Sequence, residues 1–513
     1  MYSRNLAWGY FDHPPMIALL VKAGYLIVPN ELGVRLISLL MNTATIYFIE
    51  KIISPRDLKL YYALISSIIL IHYGGSLAIP DIPLLFFTAT FFYLYRQYLQ
   101  KSSLLLMLLI GFNAGLLLLS KYHGVLVIAF TLASNLSLLK KKETWLAGMI
   151  AFLVFLPHLL WQFDNNFPTL GYQLVDREKT RFDYNYVLEF IFTQPLVYGP
   201  IVGVILLYFA FIKNPADLFE KGLKFNLYGV FILFFLFTFR GKVEAHWTDV
   251  AFVPLVYLGY TGIRNSERVR RFVMISFPVS LALIFAARLF LMVNYLPSSM
   301  HVRTEFHGWD DWANKMKSIS GGKPMVFLNS YQNAAKYEFY SKVTTISLND
   351  ERGRKNQYDI WDSERKFQGL SVYYSPGYYL PGTDSIQTKA GLFYGISIPD
   401  FRTYPDISME LMSDEQNVFR DEPVHLQFRF RKGSTLPAGD TVMLNTLTFN
   451  WEREMFLQPT GMRFSQSNIR IDSMYQLAFI PPDTGRISVY LSLTNNPFPP
   501  TVHSYKVNLK VKE

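Results

Sequence analysis

The run from Leu104 to Ser120, LLLMLLIGFNAGLLLLS, contains 17 residues and no charged side chain. As an α-helix it would be about 26 Å long, close to the ~30 Å hydrocarbon thickness of a bilayer. The residues directly after it, Lys121-Tyr122-His123, are polar. An apolar run with so sharp an end is typical of a transmembrane helix that stops at the water interface.

Other apolar stretches of similar length occupy most of the chain between residues 30 and 294, so the pattern predicts about ten spans. The loops on one side of these spans hold 15 Lys and Arg residues, whereas the opposite loops, without the C-terminal region, hold 8. Because positive loops remain in the cytoplasm, this bias predicts that residue 30 and the C-terminal region lie outside. The predicted spans are 32–53, 58–79, 82–100, 103–120, 124–139, 143–161, 187–212, 224–239, 246–263 and 270–293.

Residues 1–30 form an unusual opening because they carry Trp8-Gly9-Tyr10-Phe11-Asp12-His13-Pro14-Pro15-Met16 ahead of any span. The stretch from Pro14 to Val28 is apolar but short, which predicts a helix at the membrane interface with Asp12 as its N-cap. A start outside the membrane requires an earlier span. We therefore expect that the sequence beginning at Met1 lacks a first helix.

The composition is 51% hydrophobic and only 17% charged, which is too apolar for an ordinary soluble protein. The net charge of +10 arises mainly before residue 300, where 25 Lys and Arg face 16 Asp and Glu. Membrane orientation explains these basic loops, so nucleic acid is excluded as a partner. The absence of Cys excludes disulfides and thiolate metal sites.

The C-terminal region is polar and predicts two extracytoplasmic domains after the membrane domain of residues 31–294. Residues 300–400 predict a small α/β unit, with helices near 309–319 and 332–340 and strands near 324–329 and 344–348. From residue 401 to 513 apolar and polar residues alternate between Pro- and Gly-containing turns. That pattern predicts an all-β, sandwich-like domain.

Ionisable residues cluster near the outer ends of the predicted spans, where they are costly and often mark a substrate path. Each has a structural alternative: Asp12 and Asp81 could be helix caps, Lys121 could extend to the lipid headgroups, and His246 could be an ordinary hydrogen-bonded side chain. Together they offer carboxylates for proton abstraction and cations for gripping a phosphate. The groups are Asp12-His13, Pro80-Asp81-Ile82-Pro83, Ser120-Lys121-Tyr122-His123 and Gly241-Lys242-Val243-Glu244-Ala245-His246-Trp247.

In this order the four groups resemble the signatures of bacterial family 39 glycosyltransferases, relatives of the dolichyl-phosphate-mannose protein mannosyltransferases and of the lipid A aminoarabinose transferase. The resemblance covers the membrane half and extends through Gly308-Trp309, Ser330-Tyr331-Gln332 and Gln357-Tyr358-Asp359-Ile360-Trp361. It implies a membrane-embedded GT-C-like fold. It does not include the β domain.

The resemblance also implies an activity: transfer of a sugar from a polyprenyl-phosphate donor to an envelope lipid, glycan or protein, on the outer face of a bacterial inner membrane. Under this interpretation Asp12 and Asp81 are the catalytic carboxylates. A divalent metal is the one cofactor left open, with no metal ligands assigned. The expected substrate and phosphate contacts are His13, Lys121, Tyr122, Lys242, Glu244 and His246.

One departure from the family pattern concerns its catalytic base. The family carries an Asp-Glu-x-Tyr-Tyr stretch after a first helix, shortly before the position of Tyr2, and the sequence contains neither. Taken strictly as written, the chain is expected to be inactive. The alternatives are a transporter or flippase of lipid-linked sugars, against which the one-sided clustering of ionisable residues argues, and a catalytically incomplete membrane scaffold.

Overall fold

The computed structural model describes residues 1–74, 76–172, 182–293, 306–349, 353–379, 382–412, 416–450, 455–471, 473–494 and 501–513. The chain divides into two compact units, Met1–Val302 and Arg303–Glu513. The predicted boundary between residues 294 and 300 lies outside the described residues.

The first unit is helical. Its helices are α1 (Met16–Ile27), α2 (Glu31–Ile53), α3 (Leu58–Ser66), α4 (Ile69–Gly74), α5 (Asp81–Gln100), α6 (Leu104–Ser120), α7 (Gly124–Ser134), α8 (Lys142–Asp164), α9 (Pro168–Gly171), α10 (Tyr184–Val197), α11 (Gly203–Ile212), α12 (Leu218–Phe237), α13 (Phe252–Ile263) and α14 (Glu267–Met292). Short 3-10 helices add Tyr2–Arg4, Leu136–Lys140 and Ala245–Ala251.

These helices follow the predicted spans, but four spans are interrupted. In the 124–139 stretch, α7 ends at Ser134 and a 3-10 helix follows. The 58–79 stretch is divided between α3 and α4, and the 246–263 stretch starts as a 3-10 helix before α13. The 187–212 stretch is broken between α10 and α11 at Gly199, whose φ of +136° no helix accommodates. In the described chain, three helices are long and apolar enough to cross a membrane, namely α2, α8 and α14; the total of ten spans stays a prediction.

The exposed apolar side chains of α14 indicate whether water or lipid surrounds the first unit. Ile275, Phe285 and Met292 are 70%, 66% and 74% exposed. Apolar side chains so exposed along a whole helix are unfavourable in water but suit a lipid environment. The chain is therefore a membrane protein.

Helices α6 and α8 approach closely because small residues line their contact. A Cβ on Gly111 would lie 2.4 Å from the carbonyl oxygen of Ala147, and one on Gly115 would lie 2.5 Å from Cβ of Val154. Small residues permit this backbone proximity, which is how membrane helices gain packing without a hydrophobic driving force between them. The contact fixes the C-terminal half of α6 beside α8.

The second unit begins with the predicted α/β fold. Helix α15 (Trp309–Ile319) precedes β1 (Met325–Leu328), helix α16 (Tyr331–Ser341) and β2 (Thr345–Leu348). After the short helix α17 (Gln357–Ile360), the strands β3 (Val372–Ser375), β4 (Asp384–Thr388) and β5 (Gly391–Ile398) complete one sheet with the order β2-β1-β3-β5-β4. Strand β1 is parallel to β2 and to β3, whereas β5 pairs antiparallel with β3.

The remainder of this unit consists of two packed sheets. One contains β10-β9-β12-β14-β7 with β13 on β12, and the other contains β11-β8-β6. Inward residues of both sheets, such as Phe428 and Val489, share one core. The strands are β6 (Met409–Met412), β7 (Gln416–Phe419), β8 (Val424–Phe430), β9 (Thr441–Phe449), β10 (Met455–Ser465), β11 (Tyr475–Phe479), β12 (Gly485–Thr494), β13 (Thr501–Val502) and β14 (Val507–Lys512).

Candidate functional site

Three consecutive residues between α6 and α7 connect the separate polar motifs of the membrane unit. Lys121 reaches the motif at the start of α5, Tyr122 reaches the N-terminal segment through α8, and His123 reaches the segment before α13. The turn is short because Gly124 N–H donates to the carbonyl of Lys121 over 2.9 Å. The end of α6 therefore holds the centre of the candidate site.

Lys121 and Asp81 form a buried ion pair. The Nζ atom of Lys121 lies 2.6 Å from Oδ1 of Asp81, and their side chains are only 10% and 5% exposed. Asp81 is the first residue of α5 and makes no capping hydrogen bond, because the N-cap is Pro80. The alternative of a simple helix cap is therefore wrong for Asp81. A cation and a carboxylate held this way belong to a polar interior and not to a lipid-facing surface.

Asp249 is a third ionisable residue of this cluster that the sequence analysis missed. It lies in the 3-10 helix Ala245–Ala251, is 0% exposed, and interacts electrostatically with Asp81 and Lys121. Neither of its carboxylate oxygens has a hydrogen-bond partner within the described residues. The sequence did contain a signal for Asp249. It is a single acidic residue two positions after the Gly241–Trp247 motif, at the start of an apolar run.

Tyr122 is held by hydrogen bonds to two residues of α8. Its hydroxyl lies 2.6 Å from Nε2 of His158 and accepts from Nε2 of Gln162 over 3.1 Å. Burial raises the pKa of Tyr122 to about 12, so the phenol stays protonated at physiological pH. The sequence analysis assigned Tyr122 to substrate binding and did not identify His158 or Gln162.

The loop with Asp12 and His13 is folded on itself. The Tyr2 hydroxyl donates to Oδ1 of Asp12 over 2.8 Å, and Oδ2 lies 3.9 Å from Nε2 of His13. The Asp12 side chain is 15% exposed and that of His13 is 35% exposed. Helix α1 starts at Met16 with Pro15 as its N-cap and no side-chain cap, so the prediction that Asp12 caps this helix is wrong.

The last motif is held mainly by α10. Nζ of Lys242 lies 2.9 Å from Oε1 of Glu189, whose hydrogen bond raises the pKa of Lys242. Glu244 is the N-cap of the 3-10 helix, and His246 is exposed. The ring of Trp247 packs against His123 with centroids 5.4 Å apart. Lys242, Glu244 and His246 thus lie at the start of the segment whose 3-10 helix contains Asp249.

Metal binding has no evident place in the described part of the chain. There, no group of three or more His, Asp or Glu side chains is arranged to hold a metal ion. The chemistry that the cluster itself offers is electrostatic: one cation between carboxylates, at the end of a helix and out of bulk water.

Known proteins resemble this chain in sequence and in fold. Residues 12–161 match the family model of the dolichyl-phosphate-mannose-protein mannosyltransferases, a range that includes Asp81, Lys121 and His158. The lipid A galacturonosyltransferase RgtD of Rhizobium johnstonii is 27% identical over 320 residues. The resemblance to the family 39 glycosyltransferases is confirmed. The RgtD alignment covers 56% of this chain and 66%, just under two thirds, of the relative.

Solved structures support the family fold. ArnT from Cupriavidus metallidurans in the apo state superposes with a TM-score of 0.51 at 13% identity. The same protein bound to undecaprenyl phosphate gives 0.53 at 14% identity. Both comparisons cover 75% of this chain and 88% of ArnT. The similarity to the ArnT fold therefore covers more of the chain than residues 12–161, the range of the family model.

Proposed function

We propose that this protein is a membrane glycosyltransferase that moves a sugar from an undecaprenyl-phosphate-linked donor to a lipid acceptor of the lipid A type, at the outer face of the bacterial inner membrane. The observation that carries the proposal is the buried cluster of Asp81, Lys121 and Asp249 at the C-terminal end of α6. The match to lipid A galacturonosyltransferase RgtD and the likeness to ArnT bound to undecaprenyl phosphate support the two substrates.

In the proposed reaction, an acceptor hydroxyl attacks the anomeric carbon of the donor. The new C–O bond forms as the bond between that carbon and the phosphate oxygen breaks, and undecaprenyl phosphate leaves with the electron pair. The hydroxyl proton passes to a carboxylate, for which Asp12 is our candidate because part of its side chain reaches solvent. A placed base contributes about 10²–10⁴-fold to such a step.

Lys121 supplies the complementary charge in this proposal. Its ammonium group would stabilise the negative charge on the departing phosphate, and Asp81 would hold it in place. Lys242, as well as His13, His246 and Glu244, would contact the donor phosphate or the acceptor at the periphery. Because phosphate is a good leaving group, orientation and charge stabilisation suffice without a metal in this scheme.

The test is sugar transfer by the full-length protein purified from its native membrane. We would supply a radiolabelled undecaprenyl-phosphate sugar with purified lipid A and separate the products by chromatography. Lys121→Gln should lower transfer by about 10²-fold or more, whereas Lys101→Ala, an exposed residue at the opposite end of α5, should not change it. Donor that crosses the bilayer without cleavage would instead support the flippase alternative and overturn the proposal.

A further inference from the structure

His158 is buried in α8, with both ring nitrogens engaged. It is 0% exposed, Nδ1 lies 2.7 Å from the carbonyl oxygen of Trp8, and Nε2 lies 2.6 Å from the Tyr122 hydroxyl. One ring therefore connects the N-terminal segment to the residue adjacent to Lys121. No sequence motif pointed to it, because it lies in the middle of an apolar helix.

The partners of His158 fix its tautomer. A backbone carbonyl only accepts hydrogen bonds, so Nδ1 must carry the proton that is donated to Trp8. In the neutral ring Nε2 is then an acceptor and takes the proton of the Tyr122 hydroxyl. The phenol oxygen in turn accepts from Gln162 over 3.1 Å. Donors and acceptors match along the whole chain of bonds, which makes this arrangement specific.

A second connection holds the same segment two residues further on. Nε2 of Gln162 lies 2.6 Å from the Thr169 hydroxyl, which donates to the carbonyl of Tyr10 over 3.1 Å. Between the two anchored carbonyls, Gly9 lies against Trp161, and a Cβ on it would come within 2.2 Å of the indole. Helix α8 therefore fixes the backbone of residues 8–10, which leads directly into Asp12 and His13.

We propose that His158 is a positioning residue, which sets the location of the Asp12–His13 loop relative to Lys121 by its hydrogen bond to Trp8. The inference rests on the proposed function, because it assigns Asp12 to the acceptor side and Lys121 to the phosphate side of one reaction. A misplacement of about 1 Å at such a site can lower the rate about 10²-fold. The effect should fall on kcat and not on donor KM, since Trp8 and Tyr122 already engage both ring nitrogens of His158.

Two substitutions separate the two hydrogen bonds. The side-chain nitrogen of Asn matches the position of Nδ1, so His158→Asn keeps a donor for the Trp8 carbonyl. In His158→Gln the side-chain amide lies near the position of Nε2, so the hydrogen bond to the Trp8 carbonyl is lost. We expect His158→Asn to keep kcat within about threefold and His158→Gln to lose about 10²-fold, with the donor KM little changed in both. Thermal unfolding in detergent is the control: both variants should unfold in a cooperative transition like that of the unsubstituted protein.

Hydrogen exchange of the full chain gives a readout that does not require activity. The Tyr10 N–H donates to the carbonyl of His13 over 3.1 Å, and its protection reports whether the loop is in place. His158→Gln should exchange at least about tenfold faster there, and His158→Asn should match the unsubstituted protein. Equal exchange and equal kcat in the two variants would overturn the inference. If the unsubstituted protein transfers no sugar, the proposed function fails, yet the exchange comparison still decides the role of His158.

Discussion

Lys121 Nζ lies 2.6 Å from Asp81 Oδ1, although the two residues are 40 positions apart and come from different helices. The side chains are 10% and 5% exposed, so neither charge has water as an alternative partner. A pair of this kind is neutral as a unit but very unfavourable when only one member remains. The stability of single and double variants at Asp81 and Lys121 therefore tests whether the pair forms.

The first prediction concerns the coupling between Asp81 and Lys121. Asp81→Asn and Lys121→Met should each destabilise the protein by about 3–5 kcal/mol, because each removes the hydrogen-bonded partner of a buried charge. The double variant should lose clearly less than the sum. Thermal unfolding of the detergent-solubilised protein measures all three. Arg35→Ala is the matched control, because Arg35 pairs with Glu31 over 3.4 Å at about half exposure and should change stability by less than about 1 kcal/mol.

The second prediction concerns Asp249, whose buried carboxylate has no hydrogen bond from the described residues. Asp249→Asn replaces the buried carboxyl group with an uncharged amide of nearly the same shape, so we expect it to raise the unfolding midpoint by the equivalent of about 1–3 kcal/mol. At the same time it changes the electrostatics around Lys121, and kcat should fall at least about tenfold. Asp164→Asn, at the exposed end of α8, should alter neither quantity. A lower midpoint in Asp249→Asn would contradict the prediction.

The third prediction concerns topology and uses the absence of Cys from the chain. Lys142 and Asp164 are exposed and lie at opposite ends of α8. In intact cells with a permeabilised outer membrane, a membrane-impermeant maleimide should label Asp164→Cys and leave Lys142→Cys unlabelled. The predicted outside location of the second unit requires that Lys389→Cys, on its exposed surface, be labelled as well. Labelling of Lys142→Cys alone would invert the topology.

The fourth prediction concerns Glu364, which borders a polar cavity of about 290 Å³ together with Asn349 and Asp359 in the second unit. Burial raises the pKa of the Glu364 carboxyl, and a hydrogen bond to Thr403 offsets this in part. A raised pKa means that the folded form binds its proton more tightly than the unfolded chain does. The stabilisation is therefore complete below the unfolded-state pKa and is lost as the pH rises through the folded-state pKa.

Glu364→Gln keeps this side chain neutral at every pH and tests the sign of the effect. At pH 8 the variant should resist limited proteolysis of the second unit better than the unsubstituted chain, whereas at pH 4 the two should be equal. The digestion uses the full chain with a C-terminal epitope tag. Glu422→Gln, at an exposed position of the same unit, is the control and should be cleaved like the unsubstituted protein at both pH values.

Much of the fold was predictable from local pattern. Apolar length located the helices to within a few residues, since a backbone in lipid has to satisfy its hydrogen bonds within each span. Alternation likewise located strands such as β8 and β12. The break in 187–212 was harder to predict, because apolar residues continue on both sides of the Gly199-Pro200 pair, and only the φ of Gly199 locates the end of the helix there. The position of Asp12 just before Pro14 predicted a cap for α1, but the Asp12 carboxylate instead accepts a hydrogen bond from the Tyr2 hydroxyl.

The sequence by itself determined that this is a membrane protein that resembles the family 39 glycosyltransferases, because hydropathy and ordered motifs are properties of consecutive residues. It also singled out Asp81 and Lys121. Only the tertiary structure decided that these two form a pair, that Asp249 joins them, and that His158 connects Tyr122 to Trp8. The physical reason is that the partners of a buried polar side chain determine its charge state and its role. Here those partners come from segments far apart in the chain, which the sequence alone does not bring together.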